Sequence, residues 1–268
     1  MATPPEKESQ HQGRCMRCGT CCREGGPTLH AVDRRLVDDG LIPARHLVTI
    51  RAGERVRDNI HGRLVLSDQE MIKVKGSGGT WACVCFDPQT CGCRIYDHRP
   101  SQCIAQKCWA PSELEALAAD RRLTRKDLLS NVPGLWHLID NHESRCDYRR
   151  IPSIAETLHH APGDRSAAEP LVEMVSYDQA IRRVLVESGS AQEDMLDFLL
   201  GRPMKHTLDG FGFVVKTTGD RTSITFSHNR HLHFTDGRTG RSNLVPSHPG
   251  AAANQRTGPA PGDSEGHQ

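Results

Sequence analysis

Two stretches decide the fold of this chain, Cys15-Met-Arg-Cys18-Gly-Thr-Cys21-Cys22 and Cys83-Val-Cys85-Phe-Asp-Pro-Gln-Thr-Cys91-Gly-Cys93-Arg-Ile-Tyr-Asp-His-Arg-Pro-Ser-Gln-Cys103-Ile-Ala-Gln-Lys-Cys108. A C-x-x-C knuckle turns the chain back so that two thiolates approach one metal, and Gly19 relieves the strain of that turn. Two overlapping knuckles offer three such sulfurs. Cys22 directly follows Cys21, so the two do not share one ion in relaxed geometry, and one of them is expected to face a second site. Arg14, Arg17 and Arg23 flank the run, where their charge is expected to lower thiol pKa values. The second stretch places six cysteines in 26 residues, enough to complete one or two tetrathiolate sites with the first. Closing the loop of about 60 residues between them costs entropy that grows only slowly with length. Metal affinity offsets that cost, because in a structural site it becomes folding free energy.

The remaining composition agrees with a metal-stapled module. Ten of the eleven cysteines lie between Cys15 and Cys108, the last is Cys146, and none follows it. An extracellular disulfide framework needs an export signal and more often an even count. The leading MATPPEKESQHQ is polar and has no apolar stretch, so a reducing cytoplasmic location is expected. No run approaches the ~18 apolar residues of a membrane-spanning helix. With 34 Lys and Arg against 33 Asp and Glu, the charge argues against a dedicated nucleic-acid binder. Aromatics are only 4% of the 268 residues, so the core lacks its largest hydrophobic contributors.

Outward from the cysteines, the chain is read as α+β. A small, irregular, cysteine-rich module is followed by a mainly helical part and a C-terminal β-hairpin. Residues 1–13 read as a disordered lead, 14–110 as the cysteine-cluster metal-binding domain, 111–236 as the helical region, and 237–268 as a Gly/Pro-rich disordered tail. Leu29, Val32 and Leu36 have helical spacing, with Gly40 as the stop. Leu47–Ile50, Leu64–Leu66 and Met71–Lys75 read as β-runs. Ser112-x-x-Glu115, Ser153-x-x-Glu156 and Ser190-x-x-Glu193 match the capping box of a helix start. Leu171, Met174, Tyr177, Ile181 and Val184 share one face of a helix, and a second helix over 191–200 ends at Gly201. Phe211, Phe213 and Val215, then Ile224 and Phe226, alternate around Thr217-Thr218-Gly219-Asp220, which reads as a hairpin.

The order Cys15-x-x-Cys18-x-x-Cys21-Cys22, then Cys93-x-Ile95-Tyr96-x-x-Arg99-Pro100-x-x-Cys103 and Cys108, resembles the YkgJ-type cysteine cluster family. That family is described as a zinc- or iron-chelating domain and is related to flagellin lysine N-methylases, regarded as iron–sulfur proteins. The resemblance covers residues 14–110 and does not reach 111–268. It implies eight ligands: Cys15, Cys18, Cys21, Cys22, Cys83, Cys93, Cys103 and Cys108. Cys83-Val-Cys85-Phe86 stands where the family has a C-P-F-L-like stretch, so either Cys83 or Cys85 is the ligand there. Cys91 is additional.

Isolated core cysteines do not recur at knuckle spacing, which favours ligation over burial for the eight. Cys85, Cys91 and Cys146 read as small buried hydrophobes or free thiols. Arg99 is read either as a donor to a cluster sulfur or as the ion-pair partner of Asp97. Gly76-Ser-Gly78-Gly79 lacks the Lys-Ser/Thr of a phosphate loop and reads as a plain turn. His231-x-His233 reads as a solvated strand edge and His159-His160 as a helix end. No nucleophile elbow is present.

Cys₄ suits zinc and iron–sulfur clusters alike. Bacterial ferredoxins open with C-x₂-C-x₂-C, whereas zinc sites more often use separate pairs, so a 4Fe–4S cluster is preferred to Zn. The favoured function is iron or iron–sulfur binding with a redox or enzyme-supporting role. One alternative is a structural zinc module whose helical region binds a protein partner. The other, implied by the resemblance, is a lysine N-methyltransferase-like enzyme, against which stands the absence of a glycine-rich strand-to-helix loop.

Overall fold

Leu47–Ile50 (β1) and Met71–Val74 (β4) pair antiparallel, Leu47 opposite Val74 and Ile50 opposite Met71, and bury Leu47, Thr49, Ile72 and Val74 on one face. Alternating, mostly β-branched residues suit such a half-buried ribbon. The computed structural model describes residues 15–58, 62–110, 112–161, 164–218 and 221–226. The lead at 1–13, Arg14, the Gly219-Asp220 turn tip, the His231/His233 pair and the tail at 237–268 lie outside them.

The described strands form four two-stranded ribbons: β1 with β4, Arg55–Asp58 (β2) with Arg63–Leu66 (β3), Phe86–Asp87 (β5) with Gly92–Cys93 (β6), and Phe213–Thr218 (β7) with Arg221–Phe226 (β8). Helices supply the rest. Thr20–Glu24 (α1), Arg34–Asp38 (α2) and Ser101–Ala105 (α3) belong to the cysteine-rich part. Ser112–Leu117 (α4), Arg125–Leu129 (α5), Pro133–Arg145 (α6), Ile151–His160 (α7), Arg165–Glu187 (α8), Leu196–Leu199 (α9) and Met204–Thr207 (α10) follow. The fold is α+β, and β7–β8 is the hairpin the alternation predicts, with Phe213 opposite Phe226.

Two apolar cores divide the work. The first joins Leu29, Ile42, Leu47, Ile72 and Val74 to Cys83, Cys85 and Phe86, and continues into Leu123, Ile139, Leu185, Leu196 and Phe198–Leu200. It therefore crosses residue 110. Thr49 reinforces the crossing by donating its hydroxyl to the Phe198 carbonyl at 2.7 Å. The second core packs Ile151, Ala155 and Leu158 of α7 and Leu171, Met174 and Val175 of α8 against Phe211 and Phe213, with Cys146 inside.

A seam of buried charge separates the two and has no counterpart in the sequence reading. Arg51, fully buried, lies over the Tyr148 ring at 4.4 Å and reaches His142 Nδ1 at 3.4 Å. Arg125 donates to both Glu70 and Glu143, and Arg202 to Glu54. Buried charges persist only when paired, and here each partner comes from a distant stretch of chain.

Several local expectations are corrected. Leu29 is extended, its amide bonded to the Ile72 carbonyl and its carbonyl taken by Leu123. The Leu29/Val32/Leu36 spacing is therefore not one helical face, and Val32 is 76% exposed. Ser112 does open α4. Ser153 instead lies inside α7, its hydroxyl donating to Arg150 O, because Pro152 already fixes the first turn. Ser190 lies ahead of a 3₁₀ turn at Glu193–Met195 whose cap is Gln192. A capping box does form at Thr124 with Asp127, an Asp in the place of the Glu sought. On α8, Val184 is exposed while Val175 and Asp178 are buried, so the buried face is rotated from the one expected. The helix expected over 191–200 is that 3₁₀ turn followed by the single turn of α9.

Candidate metal centre

The first knuckle closes at Gly19, which caps α1 with φ +74. A Cβ there would lie 2.6 Å from Phe86 Cε2. Only glycine accepts both the left-handed backbone and the ring beneath it. Arg23, on α1, holds this loop to the second block. Its Nη1 donates to Cys18 O at 3.1 Å, its Nη2 to Cys91 Sγ at 3.5 Å, and its guanidinium lies over the Phe86 ring at 4.9 Å.

The second block is stitched on by backbone. Cys83 N donates to Cys22 O at 2.7 Å, Arg94 N to Cys85 O at 2.9 Å, and Cys93 pairs with Phe86 across β5–β6. Cys103 rides on α3, whose start is capped from a distance. Buried Asp33 accepts from Ser101 N at 2.8 Å and Ser101 Oγ at 2.7 Å, and Gln102 accepts from Thr28 N. A carboxylate at a helix N-terminus satisfies amides left without partners, and here it fixes the orientation of the α3 cysteine. Asp33 and Ser101 lie 68 residues apart, so no local signal betrays the pairing.

All eleven cysteines are free thiols. Cys18, Cys21 and Cys108 are exposed, Cys15, Cys22, Cys91, Cys93 and Cys103 are half-buried, and Cys83, Cys85 and Cys146 are buried. Hydrogen bonding to Thr20 holds the Cys18 thiol below its ordinary value, with Arg23 adding a smaller pull. Burial pushes Cys22 up to about 12, helped by Cys21, Cys93 and Cys83. Burial likewise raises Cys103, with Cys83, Cys22 and Cys93 opposing its charge. Cys83 is pulled down, chiefly by a hydrogen bond from the Cys85 thiol, and Lys73 assists. Cys85, as donor, is pushed up.

Nine sulfurs thus influence one another's ionisation: Cys15, Cys18, Cys21, Cys22, Cys83, Cys85, Cys93, Cys103 and Cys108. The structure gathers all eight sequence-derived ligand candidates into this field, together with Cys85. Cys91 stands beside it on Arg23. Cys146 is elsewhere, donating to Met174 O at 3.5 Å in the second core. Among the described residues no three His, Cys, Asp or Glu side chains close into a metal-holding geometry. The donor chemistry nonetheless fits a thiophilic cation. Thiols that burial and mutual repulsion hold in the protonated form exchange those protons for one divalent charge at lower electrostatic cost.

Cations frame the field. Burial pulls Lys73 down, while Cys103 and Cys83 favour its charge. Arg17 and Arg99 sandwich the Tyr96 ring at 3.9 and 3.8 Å. Arg99 has no ion pair with Asp97 among the described contacts; its charge bears on Cys93, and its buried Nε has no hydrogen-bond partner. Tyr96 is the stacking platform the two guanidinium groups share. The Gly76–Gly79 segment is a turn, as read, bridged at Gly76 to Cys83.

Residues 14–126 match the CxxCxxCC family model, described as "Putative zinc- or iron-chelating domain". The match extends past residue 110, where the motif resemblance stops. The backbone gives the reason: Ala31 N donates to Arg121 O and Leu123 N to Leu29 O, so residues 121–123 close onto the start of the domain. No curated protein and no solved structure matches the chain significantly. No helix among the described residues is long and apolar enough to cross a membrane.

Proposed function

We propose that the CxxCxxCC domain over residues 14–126 binds iron as an iron–sulfur cluster, 4Fe–4S in preference to zinc, in a reducing cytoplasmic setting. The ligands are Cys15, Cys18, Cys21, Cys22, Cys83, Cys93, Cys103 and Cys108. The observation that carries the reading is the convergence of these thiols from stretches some 60 residues apart into one electrostatic field. The C-x₂-C-x₂-C opening favours iron–sulfur over zinc. When bound, such a cluster supplies one-electron transfer, at a potential set by charge and hydrogen bonding around its sulfurs.

The chain's own residues perform the rest. Lys73 and Arg99 offset thiolate charge, Arg23 fixes Cys18 against the second block, and Asp33 orients α3 and with it Cys103. The function is a redox or enzyme-supporting one. The test is anaerobic purification with metal and acid-labile sulfide analysis. Iron with matching sulfide is expected, stoichiometric zinc without iron would move the assignment to a structural module with a protein partner, and no metal would overturn it.

A further inference from the structure

Tyr96 stands between two guanidinium groups, one from each cysteine stretch. Arg17 covers one face of the ring at 3.9 Å and Arg99 the other at 3.8 Å. Stacking engages the flat face of a guanidinium and leaves its N–H bonds directed outward in the plane. Those donors find no partner within the described residues. Neither arginine side chain is in an ion pair or a hydrogen bond there, and the Arg99 Nε is buried without one. Arg17 also holds an unusual backbone, with φ +54°, in the left-handed region that L side chains rarely occupy. Its amide donates to Cys15 Sγ at 3.4 Å, which secures the turn. Such strain persists where the surroundings over-determine it, and it concentrates at ligand sites.

Beside this stack lies a partly enclosed cavity of about 480 Å³, lined by Cys15, Met16, Arg17 and Tyr96. Its size falls within the ~300–1,000 Å³ of small-molecule sites. Met16, 65% exposed, and the Tyr96 ring give it apolar wall. Arg17 gives it a cationic fork. We propose that the cavity binds a small organic carboxylate, its anionic head held by the Arg17 guanidinium and its apolar body laid against Met16 and Tyr96.

The planar fork of arginine matches a carboxylate through two parallel N–H···O bonds. Arg99, on the far face of the ring, adds to the positive potential without occupying the cavity. A bare inorganic anion would use the charge and leave the apolar wall in water. A cationic ligand would meet two like charges. The site consists of this chain's own side chains, so it goes beyond the metal reading and does not rest on it. Where that reading also holds, Cys15 places the bound acid beside the centre.

Calorimetric titration of the as-purified, full-length protein with benzoate tests the site, with benzamide and inorganic phosphate as comparisons. Benzoate is expected to saturate one site per chain. Benzamide has the ring without the charge and phosphate the charge without the ring, and each is expected to bind at least about tenfold more weakly. Arg17→Gln is expected to weaken benzoate by about tenfold or more, and Arg17→Lys, which keeps the charge and loses the fork, by less. Met16→Ser, at an exposed position, should weaken benzoate and leave phosphate unchanged. Arg34→Gln, at an exposed arginine already paired with Asp38, should change neither. Absence of saturable benzoate binding, equal affinity for phosphate, or benzoate affinity that survives Arg17→Gln overturns the proposal. A wild type that binds benzoate and carries no metal upholds the site and overturns the metal reading. One that carries metal and binds no benzoate does the reverse.

Discussion

His142 Nε2 lies 2.9 Å from Asp178 Oδ1, and neither side chain reaches solvent. Arg51 faces the other ring nitrogen at 3.4 Å, so the network assigns a neutral imidazole, with Nδ1 accepting from Arg51 and Nε2–H donating to Asp178. Asp178 also accepts from Arg182 Nε and from the Met204 amide, each at 2.9 Å. One carboxylate therefore joins α6, α8 and α10. It is the centre of the charged seam between the two cores.

Removing that carboxylate strands buried cations. Asp178→Ala is expected to cost about 3–5 kcal/mol, a fall in Tm of about 6–20 °C for a chain of this size. Metal per folded chain should stay at the wild-type level, because no cysteine of the metal field touches the seam. Loss of metal from the folded variant would show that the seam supports the centre.

The same pair makes stability acid-sensitive in a definite direction. Burial lowers the His142 pKa, and Arg51 adds to the effect, so the unfolded chain takes up a proton before the folded one. Stability is then full above about pH 6.5 and falls as pH drops below it. Burial opposes ionisation of Asp178, but the hydrogen bond from His142 and the charge of Arg182 hold it down to about 2. Its contribution is present above about pH 3.9 and is lost as pH falls through 2. His142→Gln should flatten the upper of these two declines. Thermal melts of both proteins from pH 8 to pH 4 check this, and parallel profiles would refute it.

Gly19 and Gly62 offer a matched pair, with φ +74 and +67. A Cβ at Gly62 meets nothing within 4 Å, whereas one at Gly19 meets Phe86 at 2.6 Å. Both Ala variants incur the left-handed backbone penalty of about 1–2 kcal/mol. Only Gly19→Ala should also push α1 off the second block and reduce metal per chain. Equal metal retention by the two variants would show that the Gly19–Phe86 contact does not position the knuckle.

Cys146 is fully buried, and burial pushes its thiol up to about 12. It should resist iodoacetamide in the folded protein and react only in denaturant, and Cys146→Ser should keep its full metal complement. Mass spectrometry of the native-state adducts and metal analysis read the two outcomes. Native-state alkylation of Cys146, or metal loss in the variant, would return it to the ligand set.

The sequence by itself determined the ligand candidates and much of the strand framework. Knuckle spacing is a local property, as are the short β-like runs of β1 and β4 and the two-residue alternation of the β7–β8 hairpin, so all are legible without knowing the fold. The tertiary structure decided what spans long separations. Leu29 reads as helical by spacing and is extended because Ile72 and Leu123 hold its backbone from both sides. Asp33 caps α3, Cys85 joins the metal field, and Arg51, His142 and Asp178 meet inside the molecule. The physical reason is common to all of these: desolvation, ion pairing and thiol repulsion depend on distances through space, and a linear spacing carries those only within a few residues.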